Sequence, residues 1–320
     1  MLEIADRLLP LLRAPAPVAL ATAVDATGSS PYPVGSTLAL ADGAAPVGSV
    51  SGGCVESAVL AGCRAALGGA APAVRRYGFG DPVAACGGEV DVLTHLLTRA
   101  DAALLAGRLE RRLRGEAVAV AVRTAGVALG RLVEGVEPGP GVFVDRAAAA
   151  PRMLLLGGTE TAVAVAAAAS AAGYAVTVSD VRSAFADPGR FPTRTEAVVA
   201  RPHDAVRAFA PGPADAVCLL GHDEDLDALA LAAALESDAG YVGAQGSRAT
   251  TAPRRDRLVA LGLPAPLLDR LHAPIGLALG ATTPAQVAVA VVAEVLATRS
   301  GAPATPLSRL DGPLRVVASA

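Results

Sequence analysis

The chain contains no lysine and no asparagine. The first absence excludes a phosphate loop ending in Gly-Lys-Ser/Thr, a Schiff-base enzyme and a kinase-type phosphate lysine. The second excludes an N-glycosylation acceptor. Arginine carries all the side-chain positive charge apart from histidine, which reads as coding bias before function. Tryptophan is absent, and aromatics make up 3% of the chain. Charge is sparse as well: 18% of residues are charged and the net is −3 over 320 residues. No attraction to nucleic acid or to an anionic membrane surface is expected. Cysteine is confined to Cys54, Cys63, Cys86 and Cys218, with no Cys-x-x-Cys pair, and the first residues lack a secretory signal pattern. A reduced, cytoplasmic setting is the expectation.

What is present is aliphatic. Hydrophobic residues make up 52%, with 34 glycines and 24 prolines. That composition excludes disorder and can fill the cores of about two domains. Two uncharged stretches, 161–179 and 271–293, mimic membrane spans. The first holds Gly173 just beyond a glycine turn, and the second is broken by Pro274, Gly276, Gly280 and Pro284. Both read as buried elements without a membrane role.

The predicted fold class is α/β: an N-terminal α+β domain over 1–148, then a Rossmann-like doubly wound parallel sheet over 149–320. In the first half we expect a helix over 2–9 stopped or kinked by Pro10 and strands near 18–24 and 36–40. A helix over 55–67, a strand over 90–96, a helix over 102–114 and strands over 117–122 and 127–133 follow. Residues 136–152 read as a linker with one short strand. In the second half, apolar strands at 153–156, 174–179, 197–200, 216–220 and 240–242 alternate with helical stretches, which implies a parallel sheet. The last helix, about 284–297, starts with Thr283 as N-cap, Pro284 in its first position and Gln286 completing a capping box.

The turn after strand 153–156 reads Gly157-Gly-Thr-Glu-Thr-Ala162. Gly157 fits the tight turn of a dinucleotide site, and Ala162 fits the close helix–strand contact. Thr159 stands where a pyrophosphate needs bare backbone, and Glu160 repels phosphate. Asp180 lies where a ribose-binding acid belongs. A bound nucleotide and a turn that binds nothing stay equally open. NAD(P) and a hydride-transferring oxidoreductase form the alternative reading, although no proton-transfer residue stands out.

The segment Gly48-Ser-Val-Ser-Gly-Gly-Cys54-Val-Glu56 is the most informative. Gly52 and Gly53 free the backbone to present N–H groups, and Cys54 follows at the start of a helix, where a thiol's pKa falls. A thiolate is a soft ligand suited to molybdenum–sulfur or persulfide chemistry. Cys86-Gly87-Gly88-Glu89 repeats thiol, two glycines and carboxylate. Small buried residues at crowded turns are the alternative for both loops.

Together with Thr27-Gly-Ser-Ser-Pro-Tyr-Pro-Val-Gly35, these loops resemble the N-terminal region of the XdhC/CoxI family, accessory proteins of molybdenum hydroxylases such as xanthine dehydrogenase. The second half resembles the family's Rossmann-type domain at Asp180-Val-Arg182, at 221–227, at 241–248 and at 272–284. The resemblance implies a chaperone role and leaves catalysis open. Such a protein binds molybdenum cofactor, supports its sulfuration by a cysteine desulfurase and delivers it to a hydroxylase apo-enzyme. It implies Cys54 and Cys86 as molybdenum or sulfur contacts, and a homodimer. The turn at 157–162 departs from the family's regular glycine-rich fingerprint.

His222 follows a strand end and is a pocket candidate, with Asp223 or Asp225 as a helix cap. Gly246, Ser247 and Arg248 offer N–H groups, a hydroxyl and a guanidinium, which suit either an anion or an ordinary cap. His272 is a candidate through the resemblance. The run Arg254, Arg255, Arg257 reads as a solvated face, Cys218 as core, and His95 and His203 show no constellation. A pure protein-docking module is the third reading.

Overall fold

The computed structural model describes residues 1–28, 33–53, 55–78, 88–135, 139–221 and 223–310. The chain divides into two compact units, Met1–Ala149 and Ala150–Ala320.

In the first unit a 3-10 turn, Leu2–Ile4, leads into α1 (Ala5–Arg13). Strands β1 (Val18–Thr27), β2 (Thr37–Ala41) and β3 (Val47–Gly48) follow, then α2 (Glu56–Leu67), β4 (Ala73–Tyr77), β5 (Glu89–Leu96) and α3 (Arg99–Leu113). Next come β6 (Val118–Arg123), β7 (Leu132–Val133) and β8 (Val142–Ala147). The first five strands form an antiparallel sheet in the order β3-β2-β1-β5-β4, and the last three form a second sheet, β7-β6-β8. Strand β1 shows why the layers form. Val18 and Leu20 face the core shared with α1 and α3, while Ala19, Ala21 and Ala23 face α2. A period of two divides them in this way. Helix α2 packs on those alanines with Val59, Cys63 and Ala66 at helical spacing.

The structure narrows one expectation and bears out another. Pro10 lies inside α1 and does not end it. Leu8 and Leu9 are buried just before the proline, and Leu11 and Leu12 pack on the same core beyond it, so tertiary burial outweighs the lost N–H. The one short strand expected within 136–152 is β8, which pairs with β6 from Val118↔Ala147 to Arg123↔Val142. Strands β3 and β4 carried no clear sequence signal.

The second unit runs β9 (Arg152–Leu156), α4 (Glu160–Ala171), β10 (Ala175–Asp180), β11 (Glu196–Val199), α5 (Pro202–Phe209) and β12 (Ala216–Leu219). It continues with α6 (Glu224–Glu236), β13 (Tyr241–Ala244), α7 (Arg248–Ala260), α8 (Ala265–Leu268), β14 (Leu271–His272) and α9 (Pro284–Ser300). The sheet order is β11-β10-β9-β12-β13-β14, with parallel pairing between neighbours. The first strand in sequence lies between the second and the fourth, which is the doubly wound order with a switch point between β9 and β12. Met153 and Leu155 face the core of α4 and α9, while Leu154 and Leu156 face that of α5, α6 and α7. A strand buried on both faces reads as a continuous apolar run. Thr283, Pro284 and Gln286 start α9 as expected, with both capping-box hydrogen bonds formed. Among the described residues, no helix is long and apolar enough to cross a membrane.

Candidate functional site

The loop between β3 and α2 is built around one carboxylate. Glu56 Oε1 accepts from the Ser49 hydroxyl at 2.5 Å and from the N–H groups of Val50, Ser51 and Gly52 at 3.1, 2.8 and 2.9 Å. Glu56 Oε2 accepts from the Ser51 hydroxyl at 2.6 Å and from Gly53 N–H at 2.7 Å. Converging so many amides needs left-handed backbone. Gly52 has φ +77° and Gly53 φ +129°, where a β-carbon is costly. At Gly48 a β-carbon would also strike the Thr37 carbonyl at 2.1 Å. Burial alone would raise the Glu56 carboxyl. The Ser49 and Ser51 hydroxyls, with the N–H groups of Ser51 and Gly53, instead hold it down at about 2. The N–H groups of Gly52 and Gly53 therefore turn inward onto a carboxylate of the same chain.

Cys54, Cys86, Gly87 and His222 lie outside the described residues. Gly88 is half-buried, and Glu89 opens β5 opposite Thr27. Among the described residues, no group of three or more His, Cys, Asp or Glu could hold a metal ion.

At the switch point of the second unit, a β-carbon on Gly157 would meet Gly221 N at 2.7 Å, and one on Gly158 would meet the Phe185 carbonyl at 2.1 Å. The loop after β10 thus lies directly on the glycine turn. Asp180 accepts from Gly158 N–H at 2.8 Å, and from the Arg182 guanidinium and backbone N–H at 2.8 to 2.9 Å. Burial works against that carboxylate, but the Arg182 and Gly158 hydrogen bonds hold it at about 2. Phe185 carries the Arg182 guanidinium at 3.8 Å from its ring centre and that of Arg190 at 4.9 Å. Arg190 donates to the Gly158 carbonyl at 2.6 Å and to Glu160 at 2.8 Å. A dinucleotide needs the Gly158 backbone bare and Asp180 free for a ribose. Both are taken by this chain's own residues, so the turn does not fit NAD(P).

A run of contacts leads from that turn toward Gly246: a β-carbon on Gly221 would lie 3.9 Å from Gly157 and 3.7 Å from Asp227, and one on Gly246 would lie 3.2 Å from Arg254. Ser247 caps α7: its hydroxyl accepts Thr250 N–H, and the Thr250 hydroxyl accepts Ser247 N–H at 2.9 Å. At Gly246 a β-carbon would meet the Thr250 hydroxyl at 2.6 Å, and Arg248 is exposed. Arg254 is no solvated residue; it donates to the Gln245 carbonyl at 3.1 Å, with Asp227 3.9 Å away. Asp223 caps α6. His272 stacks on Tyr241 with ring centres 4.5 Å apart, and its Nδ1 lies 3.3 Å from Glu294. Glu294 also accepts from Tyr241 at 2.5 Å and from Gly276 N–H at 2.7 Å.

Cys63 and Cys218 are buried. Burial pushes the Cys63 thiol up to about 11, and burial with the nearby Glu294 charge pushes Cys218 up further. Neither is a nucleophile at neutral pH. Sequence reasoning missed Arg190, Phe185 and Glu294. Only Glu294 carried a signal, as the one charge within the apolar run Val287–Leu296 of α9.

The sheet order defines a Rossmann-type class, here with its nucleotide turn covered. Residues 153–295 match the model of the XdhC Rossmann domain, and residues 11–78 match that of the XdhC and CoxI family. The two models take in more than half of the sequence, and the chain belongs to the XdhC and CoxI family. It is 29% identical over 158 residues to a Bacillus subtilis (strain 168) protein described as a probable xanthine dehydrogenase subunit, covering 49% of this chain and 46% of that protein. That match spans less than half of the relative's length. It is 29% identical over 291 residues to the molybdenum cofactor insertion chaperone PaoD of Escherichia coli (strain K12), covering 88% of this chain and 83% of that protein. Its fold is similar to a crystal structure described as a xanthine dehydrogenase from Bacillus halodurans. The TM-score is 0.77 at 22% identity, over 95% of this chain and 98% of that one.

Proposed function

We propose that this chain is a cofactor-maturation chaperone: it binds molybdenum cofactor, supports its sulfuration and passes it to a xanthine dehydrogenase-type apo-enzyme. The observation that carries the reading is the similarity to PaoD along 88% of the chain. The Ser49–Glu56 network supports it, because it holds the N–H groups of Gly53 and Val55, the sequence neighbours of Cys54. Cys54 and Cys86 would hold the cofactor's metal end. When bound, the cofactor supplies a molybdenum–dithiolene centre, for which a thiolate is a soft ligand. The chain's own residues then bind and orient it. The molybdenum hydroxylase and a cysteine desulfurase are the partners, the setting is cytoplasmic, and the chaperone works as a homodimer. The closed Gly157 turn favours a docking role for the second unit over nicotinamide binding.

The test is co-production with the cofactor pathway, followed by molybdenum and pterin analysis of the purified protein. The expected result is retained cofactor in the parent and a several-fold loss in Cys54→Ser. Full retention by a Cys54→Ser/Cys86→Ser double variant would remove the thiols from the reading. Absence of pterin from the parent would remove the reading itself.

A further inference from the structure

We propose that His272 and Glu294 form a positioned carboxylate–imidazole pair that offers a base at the edge of the second unit's sheet. His272 Nε2 is the proton acceptor, and Glu294 is the positioning residue that fixes which ring nitrogen is free. The ligand class is a small molecule with an N–H, O–H or S–H group to share. The inference goes beyond the chaperone reading and does not rest on it.

Glu294 stands alone as a charge among the aliphatic residues of α9. A largely buried carboxylate is costly unless donors reach it. Three do. Oε2 accepts from the Tyr241 hydroxyl at 2.5 Å and from Gly276 N–H at 2.7 Å, and Oε1 faces His272 Nδ1 at 3.3 Å. Anchoring Gly276 beside α9 needs Oε2 alone, so Oε1 is left to the imidazole. His272 ends β14, the last strand in the sheet order, and its ring lies on that of Tyr241 with 28° between the planes. The imidazole is therefore held over one face as well as at one nitrogen.

An ionised carboxylate can only accept, so His272 Nδ1 carries the proton of this contact. Burial works against the charged form of Glu294, but hydrogen bonds from His272, Tyr241 and Gly276 hold its carboxyl below the ordinary value. The neutral ring then has its lone pair on Nε2. Unlike the two ring nitrogens of His95, that atom is not buried, and the His272 side chain is 32% exposed. Nε2 has no hydrogen-bond partner among the described residues and opens to solvent. A donor that reaches it passes its proton to Nε2, Nδ1 keeps its own, and the imidazolium so formed faces the Glu294 charge. A carboxylate behind an imidazole serves in this way as both orienter and counter-charge.

The experiment is nitrogen-15 NMR of the full chain at about pH 8.5, above the ordinary imidazole range. Loss of a signal in His272→Gln identifies His272 among the four histidines. The expected parent spectrum shows a protonated Nδ1 and a bare Nε2. Glu294→Gln keeps the size of the side chain. Gly276 N–H and the Tyr241 hydroxyl hold the amide oxygen on their side, which turns the amide N–H groups toward Nδ1. Nδ1 must then accept, and the proton is expected to move to Nε2. A carboxylate that only tethers Gly276 predicts no such exchange.

Acylation by diethyl pyrocarbonate at the same pH reads that lone pair as reactivity. Nε2 attacks the reagent's carbonyl, ethyl carbonate leaves, and Nδ1 gives up its proton to solvent. Peptide mass spectrometry is expected to find His272 labelled in the parent and labelled several-fold more slowly in Glu294→Gln, where the lone pair sits on Nδ1 and faces α9. A bare Nδ1 in the parent overturns the proposal, as does a folded Glu294→Gln protein with the parent tautomer and rate. Should Glu294→Gln fail to fold, the parent spectrum decides alone. Neither readout involves the cofactor, so loss of pterin retention in the parent would defeat the functional reading and leave this inference standing.

Discussion

His95 shows how far a single residue can be read. Its sequence context suggests nothing, yet it lies on β5 at 1% exposure, and neither ring nitrogen has a partner among the described residues. Gly130 presses against it so closely that a β-carbon there would come within 2.7 Å of the His95 β-carbon. Burial pushes the imidazole down from 6.5 to about 4, against the pull of Asp101, which is itself bound to Arg131 and to Leu132 N–H. The unfolded chain binds this proton below pH 6.5, and the folded chain does not until about pH 4. Stability from the neutral ring is therefore complete above 6.5 and drains away as pH falls toward 4, at about 1.4 kcal/mol per pH unit. Between pH 7.5 and 5.0 the parent should lose roughly 2 kcal/mol from this group in urea unfolding. His95→Phe keeps a ring in the space and has nothing to protonate, so its loss over the same interval should be smaller by that amount. Equal losses in the two proteins would refute the assignment.

At the scale of elements, what could be read depended on how local its cause was. The capping box of α9 and the tight turn at Gly157 are written in adjacent residues, and both stand in the structure. The closure of that turn is not local. Phe185 and Arg190 come from the loop after β10, and their approach to Gly158 depends on how that loop folds back over the sheet edge. The same reasoning explains β8, whose Pro- and Gly-rich approach reads as a linker but whose pairing with β6 is a tertiary fact. The closed turn can be probed from both sides. Gly158→Ala places a β-carbon 2.1 Å from the Phe185 carbonyl, so the loop must shift. The expected cost is about 1–3 kcal/mol, visible as a lower thermal midpoint. The parent should also leave NADH fluorescence unchanged in titration, because Asp180 is engaged by Arg182 and Gly158. Tight NADH binding would show that the loop yields and would revive the oxidoreductase reading.

For the whole molecule, alternation of strands and helices predicted a parallel sheet, while the strand order and the placement of helices on each face emerged only from the folded structure. Order is set by which helix can cover which face, a matter of packing between residues far apart in sequence. The same packing gives a prediction for the intact chain. The cores divide by unit: Leu20, Leu93 and Leu105 belong to a cluster formed wholly within residues 1–149, and Met153, Leu155 and Val165 to one wholly within 150–320. Leu105 and Leu155 are each at 0% exposure. Truncating either to alanine removes buried methyl groups and leaves a cavity, at about 2–5 kcal/mol. If each unit melts as its own cooperative block, calorimetry of the full chain resolves two transitions. Leu105→Ala should then lower one, Leu155→Ala the other, and each substitution should leave its counterpart transition within a degree or so. A single transition displaced equally by both substitutions would mean that the two cores fold as one cooperative system.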